Sequence, residues 1–251
     1  MIGRAAEPGA SISWKFVVFW PLSLAVPWLL LTIVRSAIFG FAPEELAYRT
    51  AVLLPIPSWL LIAYLQFRLL RPYHQRGRPW LIVTLVGGNL GSFAGGLAQL
   101  QTMSMLEMYA YSSVLTSDYN SVIPSDWTLA IAPTVSIIAG VLVGAALLGF
   151  LQSICLDGPL GARLLWLFAS AVSGIVAAAF GHGCYMAYVR IMFEIYPVAV
   201  VSGGFITALM AVAVGTTGGI IVYGVLTGAV LRWLLLRSAR RRKEALIARF
   251  G

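Results

Sequence analysis

Apolar residues run along this chain in six long blocks, about 14–36, 50–70, 80–103, 128–154, 163–187 and 207–236, separated by polar or charged segments. A helix needs roughly 20 such residues to cross a hydrocarbon core. In lipid the backbone must satisfy its own hydrogen bonds, so blocks this long predict helices. The alternation expected of a β-barrel is absent. The pattern predicts an all-α integral membrane protein, a six-helix transmembrane bundle forming one membrane domain. Composition supports it. Hydrophobic residues make up 60% of the chain and charged residues 10%, against about 25% charged in an ordinary soluble domain. Too few charges remain to coat a soluble globule, which excludes a cytosolic enzyme or a disordered chain.

Charge then orients the bundle. The segment 71–79 carries Arg71, Arg76 and Arg78, and the tail 237–251 carries Arg237, Arg240, Arg241, Arg242, Lys243 and Arg249. The segment 104–127 carries Glu107, Asp118 and Asp126 and no basic residue. Basic loops stay cytoplasmic, so both termini are expected inside. The tail is read as a juxtamembrane anchor for anionic headgroups rather than a nucleic-acid arm. The first 13 residues are polar and the block after them is full length, so no cleaved signal peptide is expected. Pro21 and Pro27 are expected to kink the first helix. Cys155 and Cys184 should lie on opposite sides of the membrane, too far apart for a disulfide. The run 197–236 is long enough for one overlong helix or for two short ones broken at Gly215-Thr216-Thr217-Gly218-Gly219. Two would put the basic tail outside, so one helix over 207–236 is expected, with a re-entrant or interfacial piece over 188–206.

A repeat is visible at an offset of 86 residues. Leu65-Gln66, Leu70, Trp80, Gly88 and Gly95 match Leu151-Gln152, Leu156, Trp166, Gly174 and Gly181. The hairpin of helices two and three recurs as helices four and five, which makes the copies parallel repeats. Leu231-Arg232 and Leu236 echo the first half a third time. A second match, at an offset of 53, aligns Gly87, Gly91, Gly96 and Gln99 with Gly140, Gly144, Gly149 and Gln152. Small residues four apart let helix backbones approach closely in lipid. Gly87, Gly91, Gly95, Gly96, Gly140, Gly144, Gly149, Gly224 and Gly228 are therefore the expected packing positions.

The stretches ending Leu151-Gln152, the Trp166 that opens the next helix, and Tyr223-Gly224 through Trp233 carry a resemblance. Over roughly residues 60–240 the chain resembles uncharacterised multi-pass bacterial membrane proteins that reiterate Gly-rich helices ending in Gln-Trp-like pairs. It departs from them with Phe67 after Gln66 and Ser153 after Gln152. The resemblance implies a helical membrane fold in a bacterial cytoplasmic membrane, and no activity.

Candidate chemistry is sparse, because no acidic residue falls centrally in a span. Asn89, Gln99, Gln101, Thr134 and His182 could line one outward polar pocket, or simply bond between helices. His182 could hold a single pigment or metal; His74 lies across the membrane and cannot pair with it. No cofactor is otherwise expected. Pro43-Glu44-Glu45-Leu46-Ala47-Tyr48-Arg49 resembles the first motif of prenyl-protease-like intramembrane metalloenzymes, which implies water activation by Glu44, Glu45 and His182. The spacing around His182 departs from that family's second motif, and a third histidine is lacking. Otherwise Pro43, Glu44 and Glu45 read as the start of helix two. Tyr109, Tyr111, Tyr119 and Trp127 read as an interfacial belt or a docking surface. The leading expectation is a non-catalytic membrane subunit or scaffold packing with other membrane subunits. The alternatives are a small transporter or channel for a neutral or weakly polar solute and, more remotely, the metalloenzyme.

Overall fold

The computed structural model describes residues 14–43, 45, 53–73, 77–115, 126–156, 158–195 and 204–250. Nearly all of these are helical, the rest being turns and connections, with no strand among them. The helices are α1 (Trp14–Phe41), α2 (Pro55–Leu70), α3 (Gly77–Leu115), α4 (Asp126–Cys155), α5 (Leu160–Ile195) and α6 (Gly204–Phe250). Five of them, all but α2, are long and apolar enough to cross a membrane. At 16 residues, α2 is about 24 Å long.

Each expected apolar block contains a helix, but the ends differ. Helix α3 runs 39 residues and α6 runs 47, well past their apolar blocks. Hydropathy marks the bilayer, whereas a helix ends where its backbone bonding fails. Met103–Met108 and Arg237–Ala248 are rich in good helix formers that keep the ladder going in a polar setting. Helix α2 begins at Pro55, later than expected, because a proline at the first helical position loses no hydrogen bond there. The re-entrant piece is corrected in part. Residues 188–195 continue α5, where Arg190 and Glu194 pair at 2.9 Å one turn apart, and 204–206 open α6. Positions 196–203 lie outside the described residues.

Through residues 215–219, α6 passes as one helix. Its glycines face α5. A Cβ added to Gly215 would lie 2.8 Å from the Gly181 carbonyl oxygen, and one on Gly219 would lie 2.7 Å from that of Ala177. Two glycines cost this helix about 2 kcal/mol in propensity, and the close approach to α5 compensates by dispersion along the seam.

The six helices close into a ring. Each packs against its two chain neighbours, α6 returns to pack against α1, and no other pair of described helices makes backbone contact. The turn between α4 and α5 is the tightest. Gly158 adopts φ +144°, open to glycine without strain, and Arg163 donates from Nε to the Leu156 carbonyl at 3.3 Å. Broad apolar faces look outward, as on Phe93, Leu100 and Phe168, which suits lipid as the surrounding solvent.

Candidate functional site: an axial tryptophan and glutamine cluster

At the end of the ring that carries the basic residues, side chains from all six helices fill the axis. Phe16 and Trp20 come from α1, Leu70 from α2, Trp80 from α3, Cys155 from α4, Trp166 from α5, and Leu231, Leu234 and Leu235 from α6. Trp20, Trp80 and Trp166 are the largest fully buried side chains described. They belong to alternate helices and touch in sequence. Trp20 lies 6.1 Å from Trp80, and Trp80 lies 6.0 Å from Trp166, in tilted and edge-on geometries that suit aromatic quadrupoles. Phe16 extends the row, stacked on Trp20 at 5.5 Å and edge-on to Tyr73.

Buried indole N–H groups need acceptors, and the intervening helices supply them. Trp80 donates to Gln66 Oε1 on α2 at 3.2 Å. Trp20 donates to Thr227 Oγ1 on α6 at 3.2 Å, and that hydroxyl in turn donates to the Tyr223 carbonyl. Gln152 on α4 donates from Nε2 to Thr84 Oγ1 at 3.0 Å and approaches Gln66 Oε1 at 3.5 Å. A second layer lies deeper: Trp59 donates to Ser92 at 2.8 Å and meets Trp28 edge-on. Gly88 leaves the room that the Trp59 ring occupies. One indole of the cluster lacks a hydrogen bond, that of Trp166 at Nε1.

This asymmetry sets a test. Trp20→Phe and Trp166→Phe leave similar voids in the core. Only the first also loses a hydrogen bond, while the second removes an unmet donor, so Trp20→Phe should destabilise by about 1 kcal/mol more. Thermal unfolding in detergent compares the two, and equal losses would contradict the bonding scheme.

The expected packing glycines divide. Gly91 faces Gly144 and Gly95 faces Gly140 across α3 and α4, where added Cβ atoms would lie 2.5–2.9 Å from the opposite carbonyl oxygens. Gly87 meets Leu148 and Leu151 of α4, and Gly149 meets Ser170 of α5. Gly224 packs on Pro21, and Gly228 on Trp20. Gly96 is a correction: it is exposed, with nothing within 4 Å of where its Cβ would stand. Gly181, Gly215 and Gly219, which build the α5–α6 seam, were outside the expected set.

The expected polar pocket is dispersed. Asn89 donates to the Leu85 carbonyl of its own helix at 2.8 Å. Gln99 and Gln101 are exposed on α3, while Thr134 on α4 and His182 on α5 are half-buried. His182 stacks on Tyr185 at 6.0 Å. Glu44, Arg49, His74 and Tyr119 lie outside the described residues, as do the side chains of Tyr109, Tyr111, Trp127 and Arg242; Glu45 is exposed. Among the described residues no group of three or more His, Cys, Asp or Glu is placed to hold a metal.

Sequence reasoning registered Gln66, Gln152, Trp80 and Trp166 as repeat positions but not as one cluster. The available signal was spacing: in both hairpins the tryptophan follows the glutamine by the same interval. Thr84, Ser170 and Thr227 gave no such signal. The architecture, with five helices long and apolar enough to span a membrane, is consistent with a multi-pass membrane protein. No family model, curated protein or solved structure matches the chain.

Proposed function

We propose that the chain is a non-catalytic subunit or scaffold of a larger membrane assembly. On this reading all six helices cross a bacterial cytoplasmic membrane, with both termini in the cytoplasm. The basic end at Arg68, Arg71, Arg78 and Arg237–Lys243 supports that orientation. Helix α2 is short for a span, but its antiparallel packing between α1 and α3, from Trp59 opposite Ser92 to Gln66 opposite Trp80, supports a crossing accommodated by local thinning. The observation that carries the reading is how the interior polar groups are used. Trp20 with Thr227, Trp59 with Ser92, Trp80 with Gln66 and Gln152 with Thr84 bond from helix to helix, and Asn89 bonds its own backbone, so these groups are occupied instead of waiting on a substrate. The repeated hairpins and Gly-paired seams belong to the same reading, as devices for a rigid body. Blue-native electrophoresis after mild solubilisation should place the chain well above its own 27.1 kDa. A solitary monomer in every detergent would overturn the proposal.

One observation favours the transporter reading as second. Trp166 Nε1 is buried and lacks a hydrogen bond within a closed ring, at the level where three indoles fill its axis. On that reading the indoles form a cytoplasmic gate for a neutral or weakly polar solute. Trp80→Ala should then raise solute flux into proteoliposomes, and unchanged flux would remove the idea.

A further inference from the structure

Near the basic end, the outer surface between α5 and α6 carries a groove of about 340 Å³ lined by Leu165, Ala229, Val230 and Trp233. Ala229, Val230 and Trp233 lie on the face of α6 that continues, at spacings of three and four residues, to Arg237, Arg240 and Arg241. The Arg237 guanidinium sits over the Trp233 ring, 5.1 Å from its centroid, so the wall of the groove also holds the first cation at its mouth. On the α5 side, one turn beyond Leu165, Gly161 has nothing within 4 Å of its would-be Cβ. That leaves the mouth open. From Ala229 to Arg241 the strip spans about 18 Å, apolar at one end and cationic at the other.

We infer that this strip is a binding site for one anionic glycerophospholipid. An acyl chain lies in the groove, and the phosphodiester sits against Arg237, Arg240 and Arg241, all three exposed. Charge complementarity selects the occupant. A zwitterionic lipid would fill the groove equally well but would place a cationic headgroup beside three guanidiniums. A second copy of the chain would bring the same cations to the same place. The inference rests on the bilayer setting of the proposed function but not on the subunit role.

The test uses the full chain in detergent micelles doped with equal phosphatidylglycerol and phosphatidylcholine, with retained lipid read by native mass spectrometry. Wild type should retain phosphatidylglycerol in marked preference. Replacing Arg237, Arg240 and Arg241 by glutamine should lower that preference by roughly five-fold for each arginine removed. Ala229→Trp, which fills the groove and leaves the arginines, should reduce the total lipid retained while the protein still melts cooperatively. Equal retention of both lipids by wild type, or an unchanged preference in the triple variant, would overturn the site. So would Ala229→Trp splitting a dimer with lipid unaffected, which would assign the groove to a second copy. A solitary monomer that still prefers phosphatidylglycerol would sink the subunit reading and leave this site standing.

Discussion

Gly95→Ala should destabilise the protein by about 2–3 kcal/mol, the range for a methyl group forced into a filled contact. The neighbouring Gly96→Ala should be neutral, or stabilising by up to about 1 kcal/mol. The two positions share a helix and a residue type, so propensity cannot separate them. Geometry does. A methyl on Gly95 would sit 2.5 Å from the Gly140 carbonyl oxygen, and backbone on the facing helix cannot swing aside as a side chain would. A methyl on Gly96 meets nothing within 4 Å. Relief at Gly95 requires α3 and α4 to separate, which loses dispersion along the seam through Gly91 and Gly144, and no hydrophobic force draws helices back together in lipid. Equilibrium unfolding in mixed micelles measures both variants. Equal effects would mean that the seam is not packed as described.

The second large effect is expected at Gln66. Its amide oxygen accepts from Trp80 and lies within reach of Gln152, and the side chain is only 2% exposed. Gln66→Ala removes the acceptor of the Trp80 N–H, loosens Gln152 and opens a void between α2 and α3. One orphaned buried donor costs about 1–3 kcal/mol, and the cavity adds to it. A total near 4 kcal/mol is expected, enough to unfold a protein of ordinary marginal stability in mild denaturant. Gln99→Ala removes the same amide from an exposed position and should change stability by under about 0.5 kcal/mol. The pair separates a buried network from a general intolerance of glutamine loss; similar melting of both variants would argue that Gln66 is not a bonded core residue.

These two sites also show how far the chain could be read unaided. Helix existence was legible because lipid demands a long apolar run, and all six blocks contain a helix. Helix ends were not, since Met103–Leu115 and Arg237–Phe250 stay helical for reasons of backbone and propensity that hydropathy does not register. The glycine stripes were visible, but their partners were not. A sequence offset pairs positions that advance together, as in Gly96 with Gly149. Antiparallel helices pair positions that move in opposite directions, as Gly91 with Gly144 and then Gly95 with Gly140. A glycine run such as that at Gly215 and Gly219 costs helix propensity, and only the position of α5 shows what compensates it. Gln66 and Gln152 stood near the ends of their apolar blocks, where polar residues ordinarily face headgroups. Their burial depends on three tryptophans from alternate helices meeting on one axis, a coincidence of tertiary structure that no local window contains.

The proposed even number of crossings carries the proposed orientation, with the basic end in the cytoplasm, and it turns on α2. Compartment-sensitive reporters fused in turn to each end of the chain measure it most directly. If α2 crosses with its neighbours, both ends report the cytoplasm. Ends reporting opposite sides of the membrane would leave five crossings and contradict the account.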